Sequence, residues 1–327
     1  MPITLAEAKV GMADKVDQLV VDEFRRNSLL LDTLTFDDCV SPGTGGSTMT
    51  YGYTRLKTPA TAAFRALNSE YTAQEAKREK ATADLKIFGG SAQLDRVLQN
   101  TSGAVNEMDF QLKQKVLGAR NLFHYKVING DATTHTDEFD GLDVMLTGSS
   151  TEFNTTTAID LSTSAQLDSN YQTFLDMLDE FLSAFDGKPG MLMGNSKLIT
   201  KIKAVARRAG YLTRSEDAFG RPVTGYDGIP LVDLGQYYNG TTSVDCVDIY
   251  QTGEASSAVT GLTDLYAASF ALDGFHGVSP AGGKIIKSYL PDLSQPGAVK
   301  KIEVEMVAAV VLKNSRKAGV FRKIKVQ

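Results

Sequence analysis

Apolar side chains recur every three or four residues in several stretches of the chain, which is the pattern of an amphipathic helix. This spacing predicts helices at residues 5–31, 104–129, 170–185 and 196–209. The second helix has Ser102 as a candidate N-cap and Asn129-Gly130 as its stop. At about 1.5 Å per residue it would be roughly 39 Å long, enough to form the spine of a flat, elongated subunit.

Short apolar or alternating runs between the helices predict β-strands. Helices and strands alternate in the second half of the chain, where Asn195 or Ser196 caps a helix that ends at Gly210. This alternation predicts a compact unit with helices packed on a small sheet, and an α+β fold for the whole chain. Residues 131–163 and 211–228 are predicted loops. The predicted strands are Met191–Met193, Ile229–Asp233, Val247–Tyr250, Leu265–Ala268, Lys300–Leu312 and Gly319–Val326.

Residues 41–103 are predicted to form a hairpin arm. A glycine-rich hinge leads into a strand at Met49–Lys57, a long charged tip and a second strand at Ala83–Phe88. An isolated hairpin is marginally stable in water, so we expect the arm to lie on another surface, most simply a second copy of the chain. The expected interface residues are Tyr51, Tyr53, Arg55, Lys57, Arg65, Arg78 and Lys86. The expected hinge residues are Gly43, Gly45, Gly46, Gly89 and Gly90.

Composition places the chain among globular proteins, because 42% of its 327 residues are hydrophobic and 22% are charged. The net charge of −5 argues against broad binding to a phosphate backbone, which needs clustered Lys and Arg. The two cysteines, Cys39 and Cys246, form no CxxC motif, which favours a reducing cytoplasm. We expect neither a signal peptide nor a membrane-spanning helix.

The sequence predicts no catalytic residue, no metal site and no cofactor. The histidines His124, His135 and His276 lack ligand spacing, and His276 is expected in a turn between two glycines. No nucleophile elbow, Walker loop or zincin motif is present. The glycines at 43–46 could form a phosphate loop, but a hinge fits better because no Lys-Ser/Thr follows.

The C-terminal segment is locally basic, with no acidic residue among its six cations. Such a segment is compatible with nucleic-acid contact. In the favoured interpretation these charges face acidic neighbours in an assembly or keep an edge strand soluble, since the whole chain is acidic. The cations are Lys313, Arg316, Lys317, Arg322, Lys323 and Lys325.

The order of these parts resembles the major capsid protein of tailed bacteriophages, whose fold is shared with encapsulin nanocompartments. Three passages support the resemblance, which covers essentially the whole chain: Phe139–Leu142, Gly187–Asn195 and Tyr226–Val232. The resemblance implies an N-terminal arm at 1–40 and an extended loop at 41–103 that lies over a neighbouring subunit. It also implies a peripheral domain at 104–150 and 285–327, and an axial domain at 151–284.

By the same resemblance, the chain is expected to assemble as hexamers and pentamers into an icosahedral shell around double-stranded DNA. The implied partners are other copies of the chain, a portal, a scaffolding protein and decoration proteins. The implied location is the virion capsid, assembled in the bacterial host cytoplasm. Two alternatives stay open: an encapsulin-like compartment that holds a cargo enzyme, and an α/β enzyme with a deep polar pocket in residues 151–284.

Overall fold

The computed structural model describes residues 29–40, 46–97, 107–210, 212–216, 222–252, 258–280, 286–292 and 294–327. The expected hinge residues Gly43 and Gly45, the candidate cap Ser102 and most of the predicted helix at 5–31 lie outside these ranges. Within the described ranges the chain has an α+β fold in which strands outnumber helices.

The helices are α1 (Leu29–Thr33), α2 (Glu107–Asn129), α3 (Leu142–Leu146), α4 (Ser164–Ser183) and α5 (Ser196–Ala209), with a 3-10 helix at Ser315–Lys317. The predicted spine helix is confirmed as α2. Local caps set the ends of α5, since the Asn195 side chain accepts from the Lys197 N–H and Gly210 takes φ 76°. The helix α4 begins before residue 170, the predicted start, because Thr163 caps it by accepting from the Gln166 N–H.

The strands in chain order are β1 (Phe36–Cys39), β2 (Thr50–Thr58), β3 (Lys77–Asp84), β4 (Lys86–Asp95), β5 (Glu152–Asp160), β6 (Met191–Gly194), β7 (Leu212–Glu216), β8 (Pro222–Tyr226), β9 (Ile229–Asp233), β10 (Gln236–Tyr238), β11 (Ser243–Asp245), β12 (Tyr250–Thr252), β13 (Val259–Ala268), β14 (Phe275–Pro280), β15 (Ile286–Tyr289), β16 (Val299–Leu312) and β17 (Ala318–Lys325). The smaller sheet has the order β1-β14-β16-β15, with β4 also paired to β16. The larger sheet has the order β5-β17-β13-β6-β9-β8-β7, with β12 paired to β13. The pairs β2-β3 and β10-β11 are separate hairpins.

The larger sheet is a middle layer with a hydrophobic core on each face. On one face, Phe174 of α4 and Ile202 of α5 are buried with Leu192 of β6. On the other face, the spine helix contributes Phe123 to a second core that also holds Met306 of β16. Burying a side chain of this size stabilises a fold by about 1.5–3 kcal/mol. The packing therefore ties the spine helix and the smaller sheet to the larger one.

Several stretches predicted as loops or turns form strands. The strand β5 lies inside 131–163, and β7 and β8 lie inside 211–228. The expected turn at His276 is wrong, because His276 is fully buried in β14. Its neighbour Gly277 allows a close approach, since a Cβ there would lie 2.5 Å from the Phe36 ring. The strand expected at Val247–Tyr250 begins only at its last residue, as β12.

The second arm strand, expected at Ala83–Phe88, is divided at Leu85 between β3 and β4. Gly89 and Gly90 lie inside the continuous ladder of β4 with β16, opposite Glu305 and Val304. A Cβ at Gly89 would lie 1.9 Å from the Val304 carbonyl oxygen. A close backbone approach therefore requires glycine at 89, and the ladder would have to break for these two residues to act as a hinge.

Candidate functional site

The most exposed element of the described chain is a two-stranded ribbon, residues 50–84. Its strands β2 and β3 pair antiparallel, with Tyr51 opposite Ala83 and Arg55 opposite Glu79. The Tyr- and Thr-rich composition of β2 favours a strand, as the sequence predicted. The return strand β3 starts at Lys77, so Lys77–Lys80 belong to the strand and not to the tip, where the sequence placed them.

The base of the ribbon is fastened to its own body by Tyr51. The Tyr51 hydroxyl donates to Asp37 Oδ2 at 2.6 Å, and Lys313 Nζ lies 5.3 Å from the Tyr51 ring centroid. The edge-on ring of His276 is 5.9 Å away. Burial and the Asp37 carboxylate raise the pKa of Tyr51, so the hydroxyl stays protonated and can donate. The interface role expected of Tyr51 therefore competes with a partner inside its own chain.

The middle of the ribbon carries a charged cluster on the same face. Arg55 Nε lies 2.6 Å from Glu79 Oε1, and Lys57 Nζ lies 3.4 Å from Glu79 Oε2. The hydrogen bond from Arg55 lowers the pKa of Glu79. Because solvent screens these groups, the ion pairs contribute little to the stability of the subunit.

The outer part of the ribbon makes almost no contact with the body, since residues 54–78 are all exposed. Phe64 is 105% exposed and Leu67 is 89% exposed. The turn at residues 66–69, which contains Leu67, is held locally: Arg65 donates to the Ser69 carbonyl oxygen at 3.2 Å and lies 5.5 Å from the Tyr71 ring. A protruding tip that presents apolar side chains to solvent is typical of a protein interaction site.

The remaining expected interface and hinge residues occupy different positions. Lys86 lies in β4, below the ribbon, and its Nζ donates to the Thr136 carbonyl oxygen at 2.7 Å. Arg78 is exposed on the ribbon. Gly46 is exposed just before the ribbon, where a Cβ would meet nothing within 4 Å. The structure therefore brings Tyr53, Arg55 and Lys57 together on one face of the ribbon and places Arg78 on the other face, opposite Leu56. Lys86 lies at the ribbon base, where it lines one cavity with Tyr53 and Arg55.

A cavity of about 400 Å³ lies between the ribbon base and the body, lined by Tyr53, Arg55, Lys86, Glu138 and Leu312 among others. It lies outside residues 151–284, where the enzyme hypothesis expected a deep pocket. Among the described residues, no group of three His, Cys, Asp or Glu side chains could hold a metal ion. No helix in the described ranges has the length and apolarity needed to cross a membrane.

The basic C-terminal segment is mostly neutralised by acidic residues of its own chain. Arg322 lies 2.7 Å from Asp143 and 3.0 Å from Asp264, and it also pairs with Glu152. Burial raises the pKa of Asp264, while the Arg322 guanidinium opposes that shift. The ion pair Lys325–Asp160 spans 2.8 Å. Sequence reasoning missed these partners because they are far from Arg322 along the chain.

The buried histidines have no acid–base role that the geometry supports. His124 is 5% exposed on α2, and burial lowers its pKa to about 4. It is therefore neutral at pH 7. Burial also lowers the pKa of His276. Both side chains belong to the core of the described fold.

Solved structures from an encapsulin complex and from two bacteriophages have the same arrangement. The chain aligns with the SrpI encapsulin of Synechococcus elongatus PCC 7942 at a TM-score of 0.65 and 13% identity, covering 99% of this chain and 97% of that one. The chain aligns with a structure from Mycobacterium phage Bobi at a TM-score of 0.59 and 10% identity, covering 100% of both chains. It aligns with the capsid of Myoviridae phage XM1 at a TM-score of 0.56 and 12% identity, covering 98% of this chain and 99% of that one.

The sequence itself matches no protein-family model and no curated protein. The structural likeness nevertheless extends over nearly the full length of every chain named above. It includes both sheets and the helices packed on them, because the alignment covers 98% of this chain or more. The chain therefore has the fold of tailed-bacteriophage major capsid proteins, which encapsulins share.

Proposed function

We propose that this chain is a structural subunit that self-associates into a closed icosahedral shell. The observation that carries the proposal is the ribbon, whose residues 54–78 are all exposed and whose tip presents Phe64 to solvent. Apolar side chains held on a protruding element are stabilised when a neighbouring copy covers them. The full-length likeness to shell proteins supports the same assembly.

In this proposal, residues 41–103 form the extended-loop region, and its exposed part, residues 54–78, lies over a neighbouring copy. Residues 104–150 and 285–327 form the peripheral domain, and 151–284 form the axial domain that meets its copies around fivefold and sixfold axes. Hexamers and pentamers then close the shell, because closed symmetry satisfies several modest interfaces at once. The ribbon residues beyond Tyr53, including Arg55, Lys57, Arg65 and Arg78, supply the contacts to the neighbour.

The shell that we propose encloses double-stranded DNA in a virion assembled in the bacterial host cytoplasm. A portal, a scaffolding protein and decoration proteins are the expected partners. The net charge of −5 suits a wall that holds packaged DNA without binding it tightly. We assign the chain no catalytic activity.

A second candidate is an encapsulin-like compartment that holds a cargo protein. The likeness to the SrpI encapsulin favours it, with a TM-score of 0.65 over 99% of this chain. The two candidates differ in what purified particles contain. Nuclease-protected DNA supports the viral shell, and a stoichiometric second protein supports the compartment.

The test is expression of the chain alone and with its neighbouring genes, followed by electron microscopy. A variant that replaces residues 56–78 by Asn-Gly closes β2 onto β3 with a two-residue turn, because Arg55 and Glu79 are paired. We expect closed particles from the natural chain, and folded but unassembled subunits from the shortened one. A control with Lys77→Arg and Lys80→Arg keeps ribbon length and charge and should assemble normally. The proposal is refuted if the shortened chain forms the same closed particles as the natural chain.

A further inference from the structure

Two helices of opposite charge cover one face of the larger sheet. The helix α4 contacts β5 at one edge of the sheet, and α5 contacts β9 and the edge strand β7 on the other side. The helix α4 has four acidic residues and no basic one: Asp168, Asp176, Asp179 and Glu180. The helix α5 has five basic residues and no acidic one: Lys197, Lys201, Lys203, Arg207 and Arg208.

Part of this charge is used where the two helices touch. Arg208 Nε lies 2.6 Å from Asp168 Oδ1. Asp179 accepts a hydrogen bond of 2.7 Å from the Tyr226 hydroxyl of β8. Lys201 donates to the Ser162 carbonyl oxygen, just before α4. The contacts of Arg208 and Lys201 identify the flank of α5 that faces α4, and the contact of Asp179 identifies the flank of α4 that faces β8.

Two charged pairs stay without a hydrogen-bond or ion-pair partner in the described part of the chain. On α4 they are Asp176 and Glu180, which are both exposed. On α5 they are Lys203, which is half-buried, and Arg207, which is exposed. Each pair has i, i+4 spacing, so its two charges lie side by side on one stripe of its helix.

The unpaired residues point away from the contact between the helices. Successive residues are rotated by roughly 100° around a helix axis, so Arg207 does not lie on the flank of α5 from which Arg208 contacts α4. In the same way, Glu180 is turned away from Asp179, which faces β8. The sheet layer therefore carries a free basic stripe on the side of β7 and a free acidic stripe on the solvent side of α4.

We propose that Lys203 and Arg207 of one copy pair with Asp176 and Glu180 of the next copy around a ring. Such a contact joins two different patches, and repeating it head to tail closes a ring when the rotation allows. This inference rests on the proposed shell function and names a contact between its axial units. Charge complementarity argues for a second copy as the occupant, because a nucleic acid drawn to α5 would be repelled by the adjoining α4.

The test uses charge reversal in the full-length chain. The first variant carries Lys203→Glu and Arg207→Glu, and the second carries Asp176→Lys and Glu180→Lys. Each places like charges across the proposed contact, so we expect the protein concentration needed for assembly to rise roughly tenfold or more. The third variant carries all four changes, keeps the natural net charge of −5, and should assemble like the natural chain.

Matched controls separate this result from a general effect of charge or folding. Lys188→Glu with Asp227→Lys exchanges an exposed pair that is 2.9 Å apart within one chain, and should leave assembly unchanged. Thermal unfolding of each unassembled variant should match that of the natural chain. A mixture of the first two variants should form alternating rings with an even number of copies and fail to form rings of five.

Four results would overturn the inference. The two charge-reversed variants could assemble at the same protein concentration as the natural chain. The variant with all four changes could need as high a protein concentration as either of them. The first variant could assemble fully and lose only its nucleic acid, which would assign α5 to that partner. If the natural chain itself forms no particles, the proposed shell function fails too, which distinguishes that outcome from the other three.

Discussion

Replacing the apolar tip of the ribbon should abolish assembly without unfolding the subunit. The perturbation is Phe64→Ser together with Leu67→Ser. In the isolated chain these side chains are 105% and 89% exposed, so they contribute little to the fold. We expect the free energy of unfolding to stay within about 0.5 kcal/mol of its natural value, as is usual for surface substitutions.

The expected loss of association follows from the same exposure. Because both side chains are almost entirely free, nearly their whole apolar surface is available for burial on a neighbour. Burying such a side chain contributes roughly 2 kcal/mol, so the two together contribute about 4 kcal/mol per ribbon contact. That energy corresponds to an association constant about a thousandfold lower in the variant.

The assay is light scattering over a concentration series, with thermal unfolding measured in parallel. A control with Phe64→Leu and Leu67→Met keeps the apolar surface and should assemble at nearly the natural concentration. The reasoning is refuted if the double-serine variant forms particles at the same concentration as the natural chain. A large loss of subunit stability would equally contradict the exposed position of the tip.

Two further predictions concern the body of the subunit. Gly89→Ala should destabilise it by about 1–3 kcal/mol in chemical denaturation, because the new Cβ would meet the Val304 carbonyl at 1.9 Å. Gly46→Ala should leave the stability unchanged, because a Cβ at residue 46 would have nothing within 4 Å. An equal loss of stability in both variants would contradict the argument from close backbone approach at Gly89. Arg322→Met should cost about 3–5 kcal/mol at pH 7, since the buried Asp264 carboxylate loses its cation. The pKa of Asp264 in the folded state is already raised above its unfolded value, so protonation of Asp264 favours the folded state as pH falls. The loss of unfolding free energy caused by Arg322→Met should therefore be smaller at pH 5 than at pH 7. A deficit that does not change with pH would count against this account.

The elements set by local signals could be predicted from the sequence. The helix α5 has a side-chain cap at Asn195 and a left-handed glycine at 210, and both signals are local. The strand β16 was predicted from its sequence, which changes from alternating to continuously apolar. Its burial follows the same change from alternating to continuous. The ribbon was predicted from a Tyr- and Thr-rich run beside glycines.

Contacts between distant residues could not be predicted in this way. The strand β5 is polar, with the run Thr155–Thr157 in its middle, and parallel pairing with β17 makes it a strand. His276 lies near two glycines that signal a turn, yet Gly277 is there to admit the ring of Phe36. The Tyr51–Asp37 bond and the partners of Arg322 join separate elements, and no local pattern marks them.

The central claim is that the ribbon is covered by an adjoining copy in a closed shell. The most direct measurement is a cryo-electron microscopy reconstruction of the particles formed by the full-length chain. The account predicts Phe64 and Leu67 buried against another subunit, in a closed lattice. A reconstruction with the tip free in solvent or packed on its own body, or a preparation that holds only single subunits, would contradict it.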